Sequence, residues 1–247
     1  MSVNEKVYIH EFIDIIRQNR ANYMHHMTAN YSPIAQEERG QLCFGVWGVV
    51  GSTGRWPQVV NIWEERSFAG MAASFRHEFE HPTLQDPKLS KWWARAAEYR
   101  SGGFDRLLVP APWMRTSEQL TAAGVRGEVF AHAQIQLRPG GAPRYLELIR
   151  ERAADLSAEF AWELTGAWRT AMVDDSECIL LWAIPTWDQW ATFEQALVSR
   201  PELGRVSDRD VEVRQAQRFL MVDAPLSPFR TGRQPARSDR VDDYEEI

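Results

Sequence analysis

The sequence predicts an α+β fold made twice over: two βαββαβ units in one chain, their antiparallel sheets packed face to face as a barrel. Three observations carry this. First, four matches recur in the same order at a nearly constant offset. VYIHEFIDI (7–15) falls on VFAHAQIQL (129–137), Gly45-Val46-Trp47 on Gly166-Ala167-Trp168, VVNIWEERSF (59–68) on CILLWAIPTW (178–187), and LLVPAP (107–112) on LMVDAP (220–225). Second, each half alternates runs of β-branched and aromatic residues with stretches of helical spacing. Third, a four-stranded sheet with both helices on one face leaves its other face bare, and two units in one chain can cover each other.

The first strand is read over Val7–Ile15, and a helix over Arg17–Arg39 with a break at Tyr31-Ser32-Pro33, because proline disfavours helix in the residue before it. Strands over 42–50 and 58–64 form a hairpin around Gly51-Ser52-Thr53-Gly54. Ser67 caps a helix over Ala69–Phe79, an extra helical stretch covers Lys88–Arg100, and a last strand covers Phe104–Val109. The second unit repeats the plan. Its strands lie over 128–137, 164–173, 177–183 and 211–222, and its helices over 142–159 and 187–198, with Thr186 in the place of Ser67. This divides the chain into a first unit (1–111), a linker (112–126), a second unit (127–225) and a polar tail (226–247). The tail is expected to be disordered or to act as an arm reaching a partner chain.

A chain of 247 residues buries a core without metals or disulfides, and the lone thiols Cys43 and Cys178 have no ligand spacing. The net charge of -6 leaves no basic footprint for nucleic acid. The start of the chain shows no signal peptide and no stretch is long enough for a membrane span, so a cytoplasmic location is expected. Eleven tryptophans suit a core and also a pocket for an aromatic ligand.

Five of the six histidines fall in the first unit, which is therefore read as the working half. Alternation places Glu11 in an aliphatic row with Val7, Ile9 and Ile13, where the second unit has Ala133. A carboxylate there would be desolvated and suited to proton transfer, unless Arg55 or Arg76 pairs with it. His10 recurs as His132, which favours a structural role near the pseudo-twofold axis. Tyr23, His26, Met27 and Asn30 share a helix face, so a phenol and an imidazole could stand beside Glu11. His77 and His81 are one turn apart in FRHEFEHP, but the zinc-protease pattern is missing and no metal is assigned. Arg55, in the hairpin tip GSTGRWP, could bind a carboxylate or phenolate, with Trp47, Trp63, Arg76 and His77 lining the pocket.

In QIQLRPGGAPRYLELI (134–149) and LWAIPTWDQWATFEQAL (181–197) the chain resembles the NIPSNAP group of the dimeric α+β barrel superfamily, a ferredoxin-like fold. The first unit departs from that pattern: VYIHEFIDIIRQNRANYMHHM (7–27) lacks the Pro-Gly turn. Similar proteins include cofactor-free oxygenases, haem proteins, isomerases, cyclases and lyases, so the resemblance implies a pocket between sheet and helices rather than one reaction. The leading expectation is a cofactor-independent enzyme doing lyase, isomerase or cyclase chemistry on an apolar aromatic molecule. In it, Glu11 or His26 is the base and Tyr23 or His10 the acid. An oxygenase, cofactor-free or with haem on His77, is the first alternative, and a non-catalytic binding or assembly protein the second. Exposed edge strands or the tail could support a homodimer.

Overall fold

The computed structural model describes residues 3–206, 208–209 and 211–242. Eight strands, β1 (Val7–Ile15), β2 (Leu42–Val49), β3 (Gln58–Glu65), β4 (Arg100–Pro110), β5 (Val129–Leu137), β6 (Glu163–Ala171), β7 (Glu177–Ile184) and β8 (Val213–Asp223), close into one barrel. Its order is β1-β3-β2-β8-β5-β7-β6-β4, and every ladder is antiparallel. Each unit thus contributes four neighbouring strands, and the two halves meet at the β2–β8 and β4–β6 seams. Both seams are short: β8 meets β2 only over Met221–Asp223, and β4 meets β6 only over Leu107–Pro110. The remaining length of β4 and β8 runs past its neighbour and leaves one end of the barrel open.

Alternation along β1 sends Tyr8, His10 and Phe12 into the barrel and Ile9, Glu11 and Ile13 toward the helices. The interior is packed reciprocally across the two units. Tyr8 of the first meets Trp168 of the second (5.4 Å between ring centroids), and Phe130 of the second meets Trp47 of the first (5.6 Å). Each tryptophan folds over a glycine two residues earlier, at a register shift in its strand. A Cβ at Gly45 would lie 2.1 Å from the Trp47 ring, and one at Gly166 would lie 1.9 Å from Trp168. The repeated Gly-x-Trp of the sequence is therefore a packing device that leaves room for one large ring in each sheet. On the pseudo-twofold axis, the Nε2 atoms of His10 and His132 are 2.8 Å apart. One donates and the other accepts, so the pair is neutral. Burial pushes both imidazoles down, with His132 reaching about 3.

The helices cover the outer sheet faces. In the first unit these are α1 (Arg20–His25), α2 (Ser32–Arg39), α3 (Phe68–Phe79) and α4 (Ser90–Tyr99). The expected break at Pro33 is instead a π-helical turn, His26–Tyr31, that carries α1 into α2 without interruption. Proline brings no N–H, and the carbonyls near the turn accept from the tail instead: Arg240 donates to those of Ala29 and Asn30. The linker is not plain coil. It holds α5 (Ser117–Ala122), started by a capping box between Thr116 and Gln119. In the second unit, α6 (Ala142–Phe160) and α7 (Trp187–Ser199) form the helix layer.

The tail is ordered through residue 242, which corrects the expectation of disorder; residues 243–247 lie outside the described residues. It crosses back onto the first unit of its own chain. Through α8 (Pro228–Thr231) it buries Phe229 beside Trp47, Phe44 and Phe130. Gln234 then bonds both backbone groups of Cys43, and Arg237 pairs with Glu37 on α2. No helix among the described residues is long and apolar enough to cross a membrane.

Candidate functional site

The residues singled out in the sequence fall into five separate places. Glu11, Tyr23 and Trp63 meet in the helix layer of the first unit. There the Glu11 carboxylate accepts from Trp63 Nε1 and Asn61 Nδ2, each at 2.8 Å, and Asn61 also donates to the Tyr23 hydroxyl. Neither Arg55 nor Arg76 pairs with Glu11. Burial, and then Asp105 opposite it on β4, push Glu11 up to about 7. Burial also raises the Tyr23 phenol, which stays protonated. His26 is not part of this set. It is stacked on Trp92, its Nε2 meets the Trp92 carbonyl at 3.0 Å, and its Nδ1 meets Asn30. Burial holds it down to about 4, so it is a satisfied core imidazole.

His10 and Trp47 face the barrel interior, on the opposite side of the sheet from Glu11, and do not line a helix–sheet pocket. Arg55 sits at the rim of the barrel, paired with Asp14 at 3.0 Å. Arg76 is exposed on α3. His77, also on α3, is bonded to Asp86 at 3.0 Å and lies 3.9 Å from Glu38. Glu38, His77 and Asp86 bring their ligand atoms within 4.8 Å of one another, without His81. Arg39 and Lys88 already stand 3.6 Å from Asp86 and 3.5 Å from Glu38, so the cluster is a balanced ion-pair network rather than a cation site.

The raised Glu11 has a testable consequence for stability. Its folded value lies above its unfolded one, so its contribution is complete at low pH and is lost as pH rises from about 4.5 through about 7. Between about pH 5 and about pH 8 the wild-type protein should lose about 2 kcal/mol relative to Glu11→Gln. Urea titrations of both proteins across that range check this, and parallel pH profiles would refute it.

The large helix–sheet cavity lies in the second unit, which corrects the expectation that the first unit holds the open pocket. It has a volume of about 860 Å³ between the outer face of β5, β7 and β8 and the helices α6 and α7. The corresponding region of the first unit is packed with side chains. There α4 adds Trp92 and Ala96 to a packed cluster with Tyr23, Met27 and Trp63. Among the described residues, the second unit has a short 3-10 turn, Pro201–Gly204, and no helix matching α4 in that place.

Tyr145, Ile149, Arg152 and Leu156 line the cavity from one face of α6, at spacings of four, three and four. Opposite them stand Trp162, Trp182 and Phe193, with Trp162 and Phe193 in contact at 4.2 Å. Arg218, on β8, lies over both of those rings and is bonded to Glu194 on α7. Arg152 is different. Its Nη1 reaches Asp155 only at 3.8 Å, and its Nε and Nη2 are buried without a partner among the described residues. The Tyr145 hydroxyl makes no hydrogen bond to a described residue, and burial keeps it protonated. The cavity therefore offers apolar rings, one cation with open donors and one phenol.

It does not fit a haem. None of the six histidines borders it, and the bordering phenol is held in its neutral form. His77, the other candidate, is engaged by Asp86.

The fold and this cavity together define the architecture of an α+β barrel with tandem units. No family model and no curated protein matches the sequence. Solved structures do match the fold. A protein assigned as a monooxygenase from Lactobacillus acidophilus superimposes with a TM-score of 0.54 at 8% identity, covering 94% of this chain and 97% of that one. An anthrone oxidase-like protein superimposes with a TM-score of 0.54 at 12% identity, covering 90% and 93%. A NIPSNAP domain protein from Burkholderia xenovorans matches only 38% of this chain, with a TM-score of 0.31. The full-length likeness to the first two is one of fold alone.

Proposed function

We propose that this protein binds an apolar aromatic molecule bearing an anionic oxygen in the cavity of its second unit, and that its chemistry is of the cofactor-independent oxygenase type. The observation that carries the binding is Arg152: a guanidinium whose buried Nε and Nη2 meet no partner among the described residues, in a wall of aromatic rings. Leaving such donors unmet is costly, and a phenolate, enolate or carboxylate removes that cost. Arg152 and Tyr145 are seven residues apart on one helix face, about 10 Å along the axis. A flat molecule of two or three fused rings fills that span.

An electron-rich phenolate or enolate carbon can react with dioxygen directly, the net change being CH₂ plus O₂ to C=O plus H₂O. The part left to the protein is to hold the anion dry and oriented. The oxidase and monooxygenase names of the fold neighbours agree with this reading but add only the fold.

One observation favours the acid–base alternative: Glu11 has a near-neutral pKa and ordered donors. It lies in the other unit, however, away from the large cavity. The test is a binding and oxygen-uptake series with 2-naphthoate and anthrone against naphthalene. The proposal expects 2-naphthoate to bind and anthrone to draw oxygen faster than its rate without protein. Unchanged oxygen uptake removes the oxygenase reading, and equal affinity for naphthalene and 2-naphthoate removes the anion site.

A further inference from the structure

We propose that the open end of the barrel is a second small-molecule site, adjoining the second-unit cavity at Gln217 and Arg218 but facing the barrel interior, and that it takes a neutral planar heteroaromatic molecule with a lactam edge. The splayed ends of β4 and β8 enclose a space of about 720 Å³ on the pseudo-twofold axis, above the His10–His132 pair. Its floor is formed by the rings of Phe12 and Phe219, whose centroids are 6.0 Å apart, and Phe104 stands at its wall. The two floor rings are tilted by 51° to each other and are backed by the histidine pair: Phe219 stacks on His132, and Phe12 meets His10 edge-on.

Two amides give the site its chemistry. Gln134 and Gln217 are direct partners in the β5–β8 ladder, so their side chains emerge next to each other on one face. Neither makes a hydrogen bond to any described residue, although both border the space. Each amide offers an N–H₂ donor and a carbonyl acceptor. The matching ligand edge is an N–H beside a C=O, which an amide can meet at two points.

Charge selects against an anion here. Arg106, buried at the wall, is bonded to Glu177, which Thr170 also supports. Arg55 at the rim is bonded to Asp14. Both cations hold a carboxylate at hydrogen-bond distance, whereas Arg152 in the other cavity reaches Asp155 only at 3.8 Å, although the Nε of Arg106 has no partner among the described residues. The two sites are thus complementary in what they would hold: an aromatic anion in one, a neutral aromatic amide in the other.

The test uses 2-quinolone as probe, with quinoline and 2-naphthoate for comparison, by isothermal titration calorimetry on the full chain. The expected result is that 2-quinolone binds and quinoline binds about tenfold more weakly, since it lacks the N–H and the carbonyl. Gln134→Met, which borders only this space, should weaken 2-quinolone five- to tenfold, and Phe104→Ala, at a half-exposed ring, should weaken it without unfolding the protein. Arg152→Met should leave it unchanged. Undiminished binding in Gln134→Met, loss in Arg152→Met, displacement by 2-naphthoate, or no measurable heat with 2-quinolone would each overturn the proposal. Circular dichroism on each variant separates loss of the site from loss of the fold.

Discussion

Gly166→Ala and Gly45→Ala are each expected to destabilise the fold by more than about 3 kcal/mol. The added methyl group would lie 1.9 Å from the Trp168 ring in the first case and 2.1 Å from the Trp47 ring in the second. Neither ring can swing away easily. Trp168 is fully buried against Tyr8 and Phe44, and Trp47 against Phe130 and Phe229. Relief therefore has to come from strands already held in a closed barrel, where displacement of one breaks register with two neighbours. Chemical denaturation checks the values. A control at Gly102, where a Cβ meets nothing within 4 Å, should fall within about 0.5 kcal/mol of wild type.

Arg152→Met is expected to weaken binding of 2-naphthoate by about 10- to 150-fold, the worth of about 1.5 to 3 kcal/mol for a charge-assisted hydrogen bond. Methionine keeps the length and most of the apolar contact of the arginine stem, so the cavity wall survives. Naphthalene, which has no anionic oxygen, should bind both proteins alike. The substitution also removes buried donors with no partner, so the melting temperature should hold or rise slightly. A fall in affinity shared equally by naphthalene and 2-naphthoate would mean that the wall, not the cation, had been lost.

The repeat made the fold legible, because each half supplies the other's reference. Matched residues such as Trp47 with Trp168 and His10 with His132 proved to be the reciprocal parts of one interior. The site was less legible, for two physical reasons. Histidine count pointed to the first unit, yet His26 is spent on Trp92 and Asn30, His77 on Asp86, and His10 on its twin. An imidazole fits so many hydrogen-bonding roles that number alone says little. The signal at Arg152 was present: Tyr145, Ile149, Arg152 and Leu156 put an arginine on an apolar helix face, just as Glu11 breaks an aliphatic strand face. What the sequence does not display is empty space. Among the described residues, no helix of the second unit stands where α4 stands in the first, and such a difference becomes visible only when the two halves are superposed.

The returning tail bears on how this chain can be made. Phe229, Gln234 and Arg240 supply contacts to the first unit, yet they are translated after all eight barrel strands. Nascent domains generally fold from the N-terminal end as units. Here the first half can only be provisional on the ribosome. Its π-helical turn has unmet carbonyls, its β2 edge waits for β8, and its barrel face has no lid. The first half therefore matures only once the second half and the returning segment have been made, so a chain stopped between the units exposes a sheet and not a smaller working protein.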